Sequence, residues 1–146
     1  MAVSVVETAL AADLVPIRAL LEISGLPTSD LEAGRPEFVV LRDEGTVVAA
    51  GALQHFGGTA LLRSVVVAEH QRSRGLGQQV VRELERRARS QNIEQLVLLT
   101  ESASEFFLRA GYRTIERSAA PLQLQQSAEF RSLCPSSAIC MSKALT

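Results

Sequence analysis

Arg72-Ser73-Arg74-Gly75-Leu76-Gly77 is the stretch of this chain whose residue types and spacing could do chemistry. Gly75 and Gly77 let a backbone approach a ligand closely, and Arg72 and Arg74 add full positive charges beside them. Before the stretch runs Leu61-Leu62-Arg63-Ser64-Val65-Val66-Val67-Ala68, which reads as a buried strand. After it, Gln78 to Ser90 reads as an amphipathic helix. A strand that enters a glycine turn and opens a helix offers backbone N–H groups and a partial positive charge to a phosphate.

Two common phosphate motifs do not fit. A dinucleotide fingerprint needs a further glycine where Val80 stands, and a P-loop needs a Gly-Lys-Ser/Thr tripeptide that the sequence lacks. Composition narrows the field further. The 146 residues suit one domain, and 47% apolar with 21% charged residues is ordinary for a globular chain. A net charge of −1 gives no general pull toward nucleic acid or membrane. Aromatic content of 4%, with no Trp, argues against base-stacking platforms. No basic segment followed by an apolar run opens the sequence, so no signal peptide is expected, and no apolar stretch reaches membrane-span length. Cys134 and Cys140 make no disulfide framework and no metal cluster, which sets a reduced, cytoplasmic location as the expectation.

The remaining elements must position the glycine stretch. Val3 to Glu7 predicts a first strand. Asp13 opens a helix with Pro16 in its first turns and Leu14, Ile17, Leu20, Leu21 and Ile23 on one apolar face; Gly25 and Pro27 stop it. Thr28 to Pro36 is a polar loop with room for one helical turn. Phe38–Leu41, Val47–Leu53 and the run ending at Ala68 are strands joined by turns at Asp43-Glu44-Gly45 and Gly57-Gly58, hence antiparallel. In the helix after the glycines, Leu76, Val80, Leu84 and Ala88 form the inward stripe, with Val81 beside it. Arg82, Glu83, Glu85, Arg86, Arg87 and Arg89 read as its solvated side. Leu96-Val97-Leu98-Leu99 is a central strand, parallel to the one before the helix. Ser102 and Glu105 predict a capping box on a helix through Ala110, ended by Gly111. Tyr112–Ile115 is a strand, Pro121 to Ser132 is helical or irregular, and Ser137–Lys143 is the last strand. The pattern is α/β, a mixed central sheet of about six to seven strands flanked by helices.

The pattern Arg72-x-x-Gly75-x-Gly77 after a valine-rich strand resembles the pyrophosphate loop of the GNAT family of N-acetyltransferases, where it holds the pyrophosphate of acetyl-CoA. Ala103 to Tyr112 is similar to that family's small helix, aromatic pair, and glycine followed by an aromatic. The resemblance covers nearly the whole chain and implies the GNAT fold over a single domain, residues 1–146. Leu98-Leu99-Thr100, Phe106-Phe107 and the tail from Phe130 to Ala138 further resemble acetyltransferases associated with arsenic-resistance operons. More distantly they resemble the acetyltransferase domain of N-acetylglutamate synthase.

The resemblance implies acetyl-CoA as cosubstrate. The strand before the loop should bend from its parallel neighbour, and Val65, Val66 and Val67 should offer main-chain groups to the pantetheine arm. Arg72, Ser73, Arg74, Gly75, Leu76, Gly77 and Gln78 should cradle the pyrophosphate. Many family members carry a Tyr four residues before the glycine that ends the second helix; here that position is Phe107. No Glu matches the family's usual one near the start of the fourth strand, leaving Glu101, Ser64 and His55 as substitute catalytic groups. Amide formation from a thioester needs a neutral amine and a stabilised oxyanion, and proximity is expected to supply most of the rate. Arg63 and Arg131 could fork an acidic substrate group, with Ser64, Thr100, Ser132 and Ser137 adding hydroxyls. Three readings stand open. One is an N-acetyltransferase for a small acidic amine with a detoxifying role linked to arsenic resistance; the others are a non-catalytic acyl-CoA-binding module and a protein acetyltransferase. The partner expected is a small-molecule amine, with no nucleic acid and no membrane, on a monomer or homodimer.

Overall fold

In the computed structural model, residues 5–145 are described. Among them seven strands form one sheet: β1 (Glu7–Thr8), β2 (Glu37–Asp43), β3 (Thr46–Phe56), β4 (Thr59–Val67), β5 (Gln95–Thr100), β6 (Arg113–Ile115) and β7 (Ile139–Ala144). Their order across the sheet is β1-β2-β3-β4-β5-β7-β6. β1 to β4 are antiparallel neighbours, which the tight turns predict for β2, β3 and β4. β4 and β5 are parallel because α3 (Leu76–Ser90) crosses between them. The mixed α/β architecture expected from the sequence is therefore present. The expected first strand is shifted: Val3 and Ser4 lie outside the described residues, and pairing begins at Glu7, opposite Val40.

Helix α1 (Leu14–Ile23) begins after Asp13 and carries Pro16 in its first turn. Its buried residues are Ile17 and Leu21, packed with Val40, Ala50 and Val66 on one face of the sheet. Ile23, expected on that face, is 82% exposed. It lies two residues past Leu21, which carries it about 200° around the helix, away from the sheet. A single turn, α2 (Leu31–Gly34), follows in the polar loop. On the other face, Leu76, Val80, Val81, Leu84 and Ala88 of α3 pack with Val39, Leu41 and Leu53. Glu85, expected in solvent, is buried there: it accepts the Tyr112 hydroxyl at 2.8 Å and pairs with Lys143 at 3.1 Å.

The short α4 (Ser104–Arg109) starts one residue later than a Ser102 cap requires. Thr100 Oγ1 takes the Ala103 N–H at 3.0 Å instead, so the Ser102–Glu105 capping box does not form. The C-terminal segment, with α5 (Leu122–Gln125) and a π-helical turn at Glu129–Leu133, returns to the α1 side. There Leu124 and Phe130 cover Leu61 and Val97.

Two irregularities in β4 prepare the site. Ala50 pairs with Val66 and Ala52 with Arg63, so β4 carries one residue more than β3 across this interval. The bulge falls at Ser64 and Val65 opposite Gly51, and Ser64 takes φ 60°, rare for a non-glycine residue in a strand. Gly51 is required by packing, since a Cβ there would stand 2.7 Å from Val80 Cγ1 and 2.9 Å from Leu84 Cδ1. The second irregularity is that the parallel ladder ends at Leu61–Val97. Past that pair β4 and β5 separate, leaving a gap bounded by Leu62–Val67 and Leu98–Thr100.

Candidate active site

The gap opens into a cavity of about 790 Å³. Arg63, Ser64, Val65, Val66 and Val67 line one side, and Leu98 to Thr100 the other. Arg72 and Gly77 stand at one end, Phe106 and Phe107 of α4 at its flank, and Glu129 and Cys134 of the tail across from β4. The volume lies in the range of small-molecule and cofactor clefts.

The glycine loop is built for an anion. Gly75 caps α3 at φ 77°, a left-handed conformation that explains glycine at this position. Ser73 is also left-handed, at φ 70°. Arg72 Nε donates to the Val67 carbonyl at 3.2 Å and so ties the loop to the end of β4. Arg74 donates to Gln71 Oε1, and Gln71 in turn donates to Asp43 at 2.8 Å. No side chain caps α3, and the first hydrogen bond into it is from Gln79 N–H to the Gly75 carbonyl at 3.1 Å. The N–H groups of Leu76, Gly77 and Gln78 therefore have no partner among the described residues, and such an uncapped, positive helix end suits an anion.

At the other end of the gap is a buried ion cluster. Arg63 is 3% exposed, and its Nη1 and Nη2 each donate to a carboxylate oxygen of Asp30 at 2.7 Å. Nη1 also donates to Gln54 at 2.9 Å, and Nε to Ser64 Oγ at 3.4 Å. Burial opposes the Arg63 charge, but the Asp30 and Glu129 carboxylates together outweigh it and hold the pKa above its ordinary value. Arg63 in turn holds Asp30 below the usual carboxylate range. Glu129 Oε2 lies 3.6 Å from Arg63 Nε, and burial raises its carboxyl above the usual range against the pull of Arg63. Cys134 donates its thiol to Glu129 Oε1 at 3.4 Å, and burial with that neighbour pushes the thiol up to about 12.

The sequence model of the acetyltransferase (GNAT) family matches residues 13–112. The chain belongs to that family. An amino-acid acetyltransferase of Haemophilus ducreyi is 28% identical over 98 residues, 66% of this chain and 22% of that protein. N-acetylglutamate synthase from Neisseria gonorrhoeae, solved with coenzyme A and N-acetyl-glutamate, superposes with TM-score 0.84 at 21% identity, over 100% of this chain and 36% of that one. A Mycobacterium tuberculosis protein solved with CoA superposes with TM-score 0.83 at 24% identity, over 98% of this chain and 100% of that one. This GNAT chain thus spans about a fifth of the curated relative and about a third of the synthase.

Of the residues expected in a GNAT site, Val65, Val66, Val67, Arg72 and Gly77 line the cavity, as do Arg63, Ser64, Thr100 and Glu101. Four expectations for the site need correction. The Arg63 fork is not free, because Asp30 fills it. Arg131, Ser132 and Ser137 are exposed and lie outside the cavity lining, since the turn at Glu129–Leu133 directs Glu129 and Phe130 inward instead. His55 is exposed and bonded to Glu37 at 3.2 Å, away from the cavity. Thr100 spends its hydroxyl oxygen on the start of α4. Phe107, at the position where a Tyr is usual, packs edge-to-face on Phe106 and Tyr112 with centroids 4.9 and 5.5 Å away. Sequence reasoning missed Asp30, Gln54 and Glu129, although a buried arginine in an apolar strand is itself a signal that carboxylates must stand nearby.

Proposed function

We propose that this chain is an acetyl-CoA-dependent N-acetyltransferase acting on the amine of a small, amino-acid-like molecule. The observation that carries the reading is the continuity of two features. The gap between β4 and β5 runs directly to the uncapped N-terminus of α3. A pyrophosphate would be held by the N–H groups of Leu76, Gly77 and Gln78 with Arg72, Ser73, Arg74 and Gly75 around it. The pantetheine arm would lie along Val65, Val66 and Val67. Acetyl-CoA supplies an activated thioester, and the chain's part is to bind it, exclude water and bring an amine to the thioester carbon. Oriented placement alone is worth several kcal/mol, on the order of 7–11 in favourable cases.

An acidic form of the acceptor is supported by the likeness to the N-acetylglutamate synthase solved with N-acetyl-glutamate. Arg63 could take its acidic group only by releasing Asp30, so neutral and basic amino acids compete as acceptors. A detoxifying role linked to arsenic resistance rests on the resemblance of the tail, and a cytoplasmic setting accords with two free cysteines. No described helix is long and apolar enough to cross a membrane.

Thiol release from acetyl-CoA, followed with DTNB over L-glutamate, L-aspartate, L-glutamine, L-arginine, putrescine and a short peptide, tests the reading. Turnover on one of the free amines is the expected result. CoA binding by calorimetry without turnover on any amine would leave a binding module. Turnover on the peptide alone would move the acceptor class to proteins.

A further inference from the structure

Glu129 is a buried carboxylate that faces the cleft and has few partners. An ionised carboxylate accepts roughly four hydrogen bonds. Other buried carboxylates of this chain are well supplied. Asp13 takes the Leu10 N–H at 2.7 Å and both Arg42 terminal nitrogens at 2.8 and 2.7 Å. Glu85 takes the Tyr112 hydroxyl and the Lys143 ammonium. Glu129 has a weak thiol donor on one oxygen, while the guanidinium at 3.6 Å from the other is beyond hydrogen-bond reach. Its position also matters. The carboxylate lies beside Arg63 and Ser64, at the bulge where the gap begins, and the glycine loop is at the opposite end.

The surrounding charges select what could complete it. From β4, Arg63 faces Glu129, but its charge is matched by Asp30 from the start of α2. Cys134, from the same tail as Glu129, is held in its neutral form. With Glu129 ionised, the cluster of Asp30, Arg63 and Glu129 therefore carries a net charge of −1 on the cleft wall, and the group that suits it is a cation carrying N–H donors.

We propose that Glu129 is the acceptor-amine site of this cleft, binding the protonated amine and removing its proton. This rests on the acetyltransferase reading and names the group that activates its acceptor. In the step, the ammonium R–NH3+ gives one proton to the Glu129 carboxylate. The freed nitrogen lone pair forms the C–N bond at the thioester carbon, and the carbonyl pair moves onto oxygen. Collapse of that intermediate breaks the C–S bond. The departing thiolate takes the second nitrogen proton through water, giving CoA–SH and the amide, and Glu129 returns its proton to solvent. A carboxyl pushed up by burial is better suited to this exchange at neutral pH than an ordinary one. Arg63 and Asp30 are positioning residues: Arg63 stands 3.6 Å from the Glu129 carboxylate, and Asp30 holds the guanidinium in that place.

The test is Glu129→Gln, which keeps size and removes the base. Wild-type turnover on the amine panel and CoA binding are scored first. No wild-type turnover overturns the enzyme reading and Glu129 with it. With an active wild type, E129Q should bind CoA within about twofold and lose kcat/KM by about 10²-fold or more at neutral pH. Activity should recover partly at alkaline pH, where solvent deprotonates the amine, and the acid limb of the pH profile should vanish. Retention of kcat/KM within about threefold, with the same limb, overturns the Glu129 assignment and leaves the enzyme reading standing. Should E129Q fail to fold, Glu129→Asp is read instead. It keeps the charge and draws the carboxylate back, so a fall in kcat of about tenfold with the limb retained is expected, and unchanged kcat overturns the proposal.

Discussion

Asp30 and Arg63, 33 residues apart, meet through two parallel hydrogen bonds of 2.7 Å and fix the loop after α1 to the sheet beneath the cavity. The end of α1 and this loop contribute Ile23 to Pro27 to the cavity wall, so this pair sets the shape of the cleft as well as its charge. Replacing Arg63 by Lys keeps the charge but not the fork. Arg63→Lys should lower stability by about 2 kcal/mol in urea unfolding, because one Asp30 oxygen and Gln54 lose their donors. Unchanged stability together with a raised KM for acidic amines would mean that Arg63 serves the substrate and not the fold.

The same pair should appear in the acid limb of the stability curve. Asp30 is held below its ordinary pKa by Arg63, and Glu83 is lowered to about 2 by Arg86 and Arg87. A carboxyl depressed in the folded state contributes stability that is complete above its unfolded pKa and is lost as pH falls toward the folded value. Melting temperature should therefore decline from about pH 4.5 downward, and Asp30→Asn should flatten that decline. A slope identical to wild type would remove Asp30 from the linkage.

Gly75 is expected to matter for CoA and little for the core. A β-branched residue at φ 77° is strained, and nothing within 4 Å of its Cβ position would relieve or worsen that. Gly75→Val should weaken CoA binding about tenfold or more, since one or two charge-assisted phosphate bonds would be lost. Calorimetry reads the affinity and circular dichroism the fold. Full affinity in a folded variant would rule out the loop as the phosphate site.

Phe107 supplies no proton, and its ring is held between Phe106 and Tyr112. The nearby Tyr112 is no substitute, because burial first and the Glu85 carboxylate second raise its pKa. Phe107→Tyr should keep kcat within about threefold or raise it modestly, provided the added hydroxyl reaches the cavity. A collapse of kcat without loss of CoA binding would show that an apolar ring is needed there.

Gly51→Ala tests the bulge through its partner. The added methyl meets Val80 and Leu84, and pushing α3 away should cost about 1–3 kcal/mol. Because α3 also carries the loop, CoA affinity should fall alongside melting temperature. A stable variant would mean that α3 repacks without moving.

The strand and helix order was legible because turns, apolar runs and glycines each have a local cause. The segment proposed to hold phosphate was legible for the same reason: Arg72 to Gly77 is continuous in sequence and would bind through its backbone. The proposed acceptor end was not, because it would be assembled from Asp30, Arg63 and Glu129, which come from three separate elements. Arg63 was recognised as needing a purpose, and a substrate group was assigned where the protein supplies its own. Glu129 was hidden in a segment read only as helical or irregular, where a π-helical turn decides which side chains point inward. The misplaced Ser102 cap and the outward Ile23 are smaller cases, in which a neighbouring hydroxyl and the helix's own rotation prevailed.

The extra residue at Ser64 divides β4 into two reading frames. In an unbroken strand Leu61, Arg63, Val65 and Val67 would share a side. Here Leu61, Arg63 and Val66 face the α1 and tail side, while Leu62, Val65 and Val67 face α3. Parity reverses at Ser64, so odd positions before it and even positions after it look the same way. A missense change at Ser64 leaves that phase intact. Deleting Ser64 would leave one residue between the Arg63–Ala52 and Val66–Ala50 pairs on each strand, so Arg63 and the valines would keep their sides; what the deletion would remove is the bulge itself, and with it the local bend of β4 where the gap opens.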